Sequence, residues 1–275
     1  MAVWQSGDLE ANGLRLHYTR TGGDKPQVVL AHGFSDDGLC WTPVAEALAS
    51  EYDLIMVDAR GHGRSDAPEG GYGPAEHAGD LAGVITGLGL RRPAVLGHSM
   101  GAATALVLAG TYPDVPGAIL LEDPPPLWAT DFLSGPDEGP AQMRAWITDL
   151  KRKRREELIA EQRAASPDWS EAELGPWADS KLRLSLNALK LFTGAPVDWG
   201  ATLRGVTCPA LLISADPSQG ALITAEGAAA LQALIPHLRV AHIPGAGHSI
   251  RREQFARYLD TVLIFLGEVT TSREG

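Results

Sequence analysis

A chain of 275 residues, 44% hydrophobic and 21% charged, can bury a sizeable core, and its length fits one large α/β domain as well as two small ones. Its formal net charge of −11 argues against a general affinity for nucleic acid or anionic membrane surfaces, because either polyanion would be repelled. With only two cysteines, Cys40 and Cys208, a disulfide framework and a cysteine-rich metal cluster are both excluded.

The N-terminal residues Met1 to Asp8 lack the basic start and apolar run of a signal peptide. The apolar stretches are too short to span a bilayer, so the cytoplasm is the expected location. Strand-like and helical runs then alternate, which predicts βαβ units and a mostly parallel sheet. Residues 14–19 alternate apolar and polar and read as an early antiparallel strand. Residues 27–31 form an apolar run ending at His32-Gly33, followed by a helix over 41–50 and a second run over 53–57. A helix over 73–88, a strand over 94–96, a small-residue helix over 100–111 and a strand over 118–121 complete the first half. Strands covered on both faces should read as continuous apolar runs, and these do.

After Glu122-Asp123 the alternation breaks. Pro124-Pro125-Pro126 opens a stretch of helical patterns, over 140–165 and 170–192, holding five of the seven tryptophans: Trp128, Trp146, Trp169, Trp177 and Trp199. The expected organisation is a helical cap, residues 124–208, inserted into an α/β core made of 1–123 and 209–275. Within the cap, the basic run 151–155 reads as a solvated helix face or a docking patch. Strands resume over 210–213 and 239–243. A C-terminal helix over 251–266 lines up Phe255, Leu259, Val262 and Leu266 on one face.

Three motifs carry chemistry. Gly97-His98-Ser99-Met100-Gly101 sits between a strand and a helix, the context that gives G-x-S-x-G its meaning. A serine hydroxyl is a weak nucleophile, so it must be held exposed beside a base, and a tight strand-to-helix turn flanked by glycines does this. His32-Gly33-Phe34 follows an early strand, so the N–H groups of Phe34 and Met100 are the expected oxyanion donors. Among eight histidines, His248 in Gly245-Ala246-Gly247-His248 is the best base, since it lies in a loop after the last strand, on the edge where sites form in parallel sheets. His32, His62 and His98 read as residues that order loops.

With Asp58-Ala59-Arg60-Gly61-His62-Gly63-Arg64-Ser65, these blocks make the chain resemble the α/β-hydrolase superfamily over nearly its whole length. The resemblance implies an eight-stranded, mostly parallel sheet flanked by helices, a helical cap after the sixth strand, and a triad in the chain order Ser, acid, His. It assigns Arg60–Ser65 a structural role. In similar enzymes the acid usually sits in a Gly-x-x-Asp turn after the seventh strand. Here that turn reads Ser214-Ala215-Asp216-Pro217-Ser218, with Ser218 where Asp is expected. Asp216 is therefore placed first as the acid, Asp123 at the end of the sixth strand second, and Glu122 third.

The resulting expectation is a serine hydrolase of carboxylic esters or lactones, working through an acyl-enzyme on Ser99 with His248 as base and no cofactor or metal. Its partner is a small-molecule substrate rather than nucleic acid or membrane, and the chain is expected as a monomer or homodimer. The Trp-rich cap suggests an apolar pocket. A cofactor-free haloperoxidase or perhydrolase and a C–C bond hydrolase would use the same triad. A ligand receptor that keeps the fold without turnover is the alternative from another class.

Overall fold

The computed structural model describes residues 4–128, 139–193 and 197–271; parts of the expected cap (129–138 and 194–196) and residues 1–3 lie outside this description. Eight strands form one sheet: β1 (Gln5–Ala11), β2 (Leu14–Arg20), β3 (Gln27–Ala31), β4 (Asp53–Val57), β5 (Ala94–His98), β6 (Ala118–Glu122), β7 (Ala210–Ser214) and β8 (Arg239–His242). Their order is β1-β2-β4-β3-β5-β6-β7-β8. The β1–β2 and β2–β4 pairs are antiparallel, and all later pairs are parallel.

Side-chain alternation sorts the central strands onto two faces. Val29, Ile55, Val95, Ile119 and Leu121 enter one core cluster, while Val28, Leu30, Leu54, Met56, Leu96 and Leu120 enter the other. The first is covered by α2 (Pro74–Gly87), α3 (Met100–Thr111) and α8 (Ala225–Leu234). The second is covered by α1 (Thr42–Leu48), α9 (Ile250–Glu253) and α10 (Phe255–Thr271), with Val44, Ile250, Val262 and Leu266 among its members. Burial on both faces is why these strands read as unbroken apolar runs.

Between β6 and β7 lie the helices α4 (Gly139–Leu150), α5 (Arg155–Ala165), α6 (Glu171–Arg183) and α7 (Trp199–Arg204). The last of these packs on α3, where a Cβ on Gly110 would come within 2.1 Å of the Thr202 carbonyl oxygen. Leu203 thereby joins the core beneath the sheet.

Several sequence expectations are corrected at element ends. β1 is an additional strand beyond those expected: it carries little apolar surface, and Asn12-Gly13, with φ of 54° and 74°, forms the two-residue hairpin turn into β2. The expected helix over 140–165 divides because Arg154 leaves helical geometry to become the N-cap of α5, reciprocated by Glu157. The C-terminal helix breaks at Gln254 (φ −133°, ψ 52°) and then continues to Thr271. β8 is an exposed edge strand rather than a covered one. Cys40 and Cys208 are both buried thiols. No helix among the described residues is long and apolar enough to cross a membrane.

Candidate active site

Ser99 occupies the single residue between β5 and α3, with φ 51° and ψ −113°, a backbone geometry that is costly for a residue with a side chain. The residues two positions to either side, Gly97 and Gly101, must be glycine for steric reasons. A Cβ on Gly97 would lie 2.3 Å from the Gly101 carbonyl oxygen, and one on Gly101 would lie 2.1 Å from that of Ala31. The G-x-S-x-G spacing therefore lets α3 start directly against the end of β5 and the loop after β3. The N–H groups of Phe34 and Met100 have no acceptor among the described residues. The Met100 N–H is one of the donors that the first turn of a helix leaves unpaired.

His248 lies in the loop after β8. Its Nδ1–H donates to Asp123 Oδ2 at 2.6 Å, which leaves the lone pair on Nε2. Its backbone carbonyl accepts from His98 Nε2 at 2.9 Å, and the two rings stand 4.7 Å apart. Asp123 follows β6 directly and is wholly buried. Like Ser99 it has a positive φ, 40°. Its carboxylate accepts from the Leu222 and Ile223 backbone N–H groups, with contacts of 2.8–3.1 Å.

The acid placed first from the sequence does not reach His248. Asp216 instead accepts from the Gly245 N–H at 2.8 Å and from the side chains of His242 and Gln219, both at 3.0 Å. These bonds tie the loop after β7 to the glycine turn ahead of His248. That loop serves the site in another way, because its Leu222 and Ile223 N–H groups hold the carboxylate that does reach the histidine. Glu122, the third candidate, points away to Arg251.

Ser99, His248, Phe34 and Met100 line one cavity of about 670 Å³. Trp146, Trp169, Trp177, Trp199, Met143 and Leu222 supply much of its apolar wall. Trp128 is not part of it: its Nε1–H donates to the Gly227 carbonyl and its ring packs on the core. The basic run is largely exposed, as a solvated face is, and its side chains also join neighbouring helices. Lys151 donates to the Leu182 and Leu184 carbonyls, Lys153 pairs with Asp149 and Glu161, and Arg155 pairs with Asp179, so the run stitches α4, α5 and α6 together. Among the described residues no group of three or more His, Cys, Asp or Glu is arranged to hold a metal ion.

Five other histidines are buried: His17, His32, His62, His77 and His98. His32 donates from Nδ1 to the Gly33 carbonyl and accepts the Ala59 N–H at Nε2, which orders the Phe34 loop. Burial, with His62 beside it, pushes His32 down to about 3. Burial also drives His77 and His98 well below the usual imidazole range, helped by His62 and Arg60 at the first and by Arg251 at the second. Burial lowers His62 as well, so below pH 6.5 the unfolded chain takes up protons at His32, His62, His77 and His98 that the native protein refuses, and stability is lost as pH falls. Asp37 works with the opposite sign, since burial and Asp58 raise it to about 7 and the native state holds a proton there that the unfolded chain has released. The lowered histidines outnumber the one raised carboxyl, so the net expectation is stability that falls as pH drops below 6.5. Urea unfolding at pH 7.5, 6 and 5 checks this. Stability that rises with acid would mean the carboxyl dominates.

Comparison with known proteins accords with this geometry. The family model for the alpha/beta hydrolase fold matches residues 26–251. N-formylmaleamate deformylase of Pseudomonas putida is 30% identical over 251 residues, covering 89% of this chain and 90% of the relative. The 2-(acetamidomethylene)succinate hydrolase of Mesorhizobium japonicum is 30% identical over 238 residues, covering 84% of each. Among solved structures, an enol-lactonase from Burkholderia xenovorans superposes with a TM-score of 0.75 at 25% identity, covering 95% of this chain and all of the lactonase.

Proposed function

The chain belongs to the α/β-hydrolase fold family, and we propose that it is a serine hydrolase cleaving small carboxylic esters or lactones through an acyl-enzyme on Ser99. The observation that carries this reading is a serine on a strained turn sharing one cavity with a histidine whose Nδ1–H is fixed on a buried carboxylate. With Nδ1 protonated, Nε2 of His248 is free to take the Ser99 hydroxyl proton as Oγ attacks the substrate carbonyl carbon. The carbonyl oxygen becomes an oxyanion received by the N–H groups of Phe34 and Met100. His248 then returns the proton to the leaving group, and water repeats the sequence to release the acid. Asp123 holds the imidazole tautomer and stabilises the imidazolium that forms.

Amides are the second reading. Two relatives that align over most of their length are named a deformylase and an (acetamidomethylene)succinate hydrolase, while the lactonase favours the ester side.

The test is a fluorophosphonate probe followed by a panel of p-nitrophenyl esters, lactones and N-acyl amides. One equivalent of label on Ser99 and turnover of at least one oxygen ester are expected; label elsewhere, or none, overturns the assignment. In the same panel Trp177→Ala should raise KM for apolar acyl groups by roughly tenfold, since it strips one to two kcal/mol of apolar contact from the wall. Trp128→Ala should leave acyl preference unchanged, because that ring faces the core.

A further inference from the structure

Six charged side chains that no triad role uses are buried together beside the site: Asp36, Glu122, Glu173, Lys181, Arg251 and Arg252, all at most 6% exposed. Isolated buried ions are prohibitively costly, but here three cations meet three anions in a connected set. Asp36 is the hub. Its Oδ1 accepts from Lys181 Nζ at 2.9 Å, and its Oδ2 accepts from Arg251 Nη2 at 2.9 Å and Arg252 Nη2 at 3.0 Å. Arg251 also donates from its backbone N–H and Nη1 to Glu122, and Arg252 donates from Nε to Glu173. Burial by itself would push the Asp36 carboxyl up, yet Arg252, Lys181 and Arg251 hold it well below the usual carboxylate range.

The partners belong to the segments that must be aligned for the chemistry. Asp36 lies two residues beyond Phe34 in a turn closed by its own N–H on the Gly33 carbonyl at 3.1 Å. Lys181 Nζ, from α6 of the insertion, reaches the Ser35 carbonyl of that turn at 2.7 Å. Arg251 and Arg252 follow His248 by three and four positions. Glu122 immediately precedes Asp123, and its carbonyl accepts the Ser99 N–H at 2.9 Å. Trp169 and Trp177 cover the set, with Arg252 4.5 Å from the first ring and Lys181 5.0 Å from the second. Apolar packing would stabilise such a junction at least as well, so what the charges add is fixed geometry.

We infer that Asp36 is a positioning residue for the reaction: by gathering Lys181, Arg251 and Arg252 onto one carboxylate it sets the Phe34 N–H and the His248 loop in register with Ser99. This rests on the proposed serine mechanism, whose own test, labelling of Ser99 in the unmodified protein, does not involve Asp36 and is read first. Asp36→Asn keeps the shape and removes the charge. Glu173→Gln is the matched control, since it weakens the same buried set without touching the Phe34 turn.

Four quantities are read on each folded variant: the thermal midpoint, kcat and KM on the best ester, and the affinity of a trifluoromethyl ketone whose Ser99 adduct places an oxyanion at the Phe34 and Met100 N–H groups. Asp36→Asn is expected to lower kcat roughly a hundredfold with KM within about threefold, and to weaken the ketone in parallel, the size of effect seen when an oxyanion donor is lost. Glu173→Gln is expected to lower the midpoint with kcat and ketone affinity within about threefold. A folded Asp36→Asn protein with parental kcat and ketone affinity overturns the inference. So does an equal kcat loss in Glu173→Gln, which would reduce the network to general stability. If Asp36→Asn does not fold, Lys181→Met carries the same expectation at roughly tenfold, and an unchanged kcat there overturns it.

Discussion

Ser99→Ala is expected to lose ester turnover by at least roughly three orders of magnitude while keeping the parental fold and thermal midpoint. On the proposed mechanism the loss is large because the acyl group has no other acceptor: the cavity offers one hydroxyl on a strained turn in company with His248. The fold is insensitive because Ser99 Oγ makes no hydrogen bond among the described residues, and alanine keeps the Cβ and so the same φ of 51°. Residual turnover should come from the Phe34 and Met100 donors acting on attack by water. Ser99→Gly supplies a check on the backbone argument. It should be equally inactive yet more stable by about 1 kcal/mol, since glycine tolerates this φ. An alanine variant retaining more than about a tenth of the parental kcat would remove Ser99 from the mechanism.

Asp123→Asn is expected to cost roughly three to four orders of magnitude in kcat, and Asp216→Asn less than about tenfold. The reason is a forced tautomer. The Leu222 and Ile223 N–H groups hold the Asp123 carboxylate, so an asparagine there must turn its carbonyl oxygen toward them. Its NH₂ then faces His248 Nδ1, which must accept, and the proton moves to Nε2 where the base is needed. Asp216, bonded to Gly245, His242 and Gln219, holds only the approach to the His248 loop, so its loss should loosen that loop without altering the tautomer. The pair of variants is read by steady-state kinetics beside the thermal midpoint. The reverse ranking would make the observed Asp123–His248 contact structural.

The blocks around Ser99, Phe34 and His248 were legible in the chain because each rule there is local. Gly97 and Gly101 are demanded by backbone contacts within a few residues or with the adjacent strand, and they leave a fixed spacing. The alternation of apolar runs and helices is likewise local, and it located the central strands to within a residue or two. Elements without that pattern were lost: β1 because it buries only Ala11, and α8 because its alanines carry little amphipathic contrast.

Which carboxylate meets His248, and the existence of the ionic hub, were decided only by tertiary structure. Asp123 and Asp216 both follow neighbouring parallel strands and both end at the same edge of the sheet, so spacing places either one near His248. What separates them is the direction of a loop, in which Leu222 and Ile223 turn their N–H groups onto a carboxylate about a hundred positions earlier in the chain. Asp36 and Arg251 stand 215 positions apart. The adjacent pair Arg251-Arg252 just beyond His248, and the acidic pair Asp36-Asp37 just beyond Phe34, were visible as composition. A charged pair in a sequence reads as surface until the fold shows both members buried, because burial is a property of the assembled layers and not of any short window.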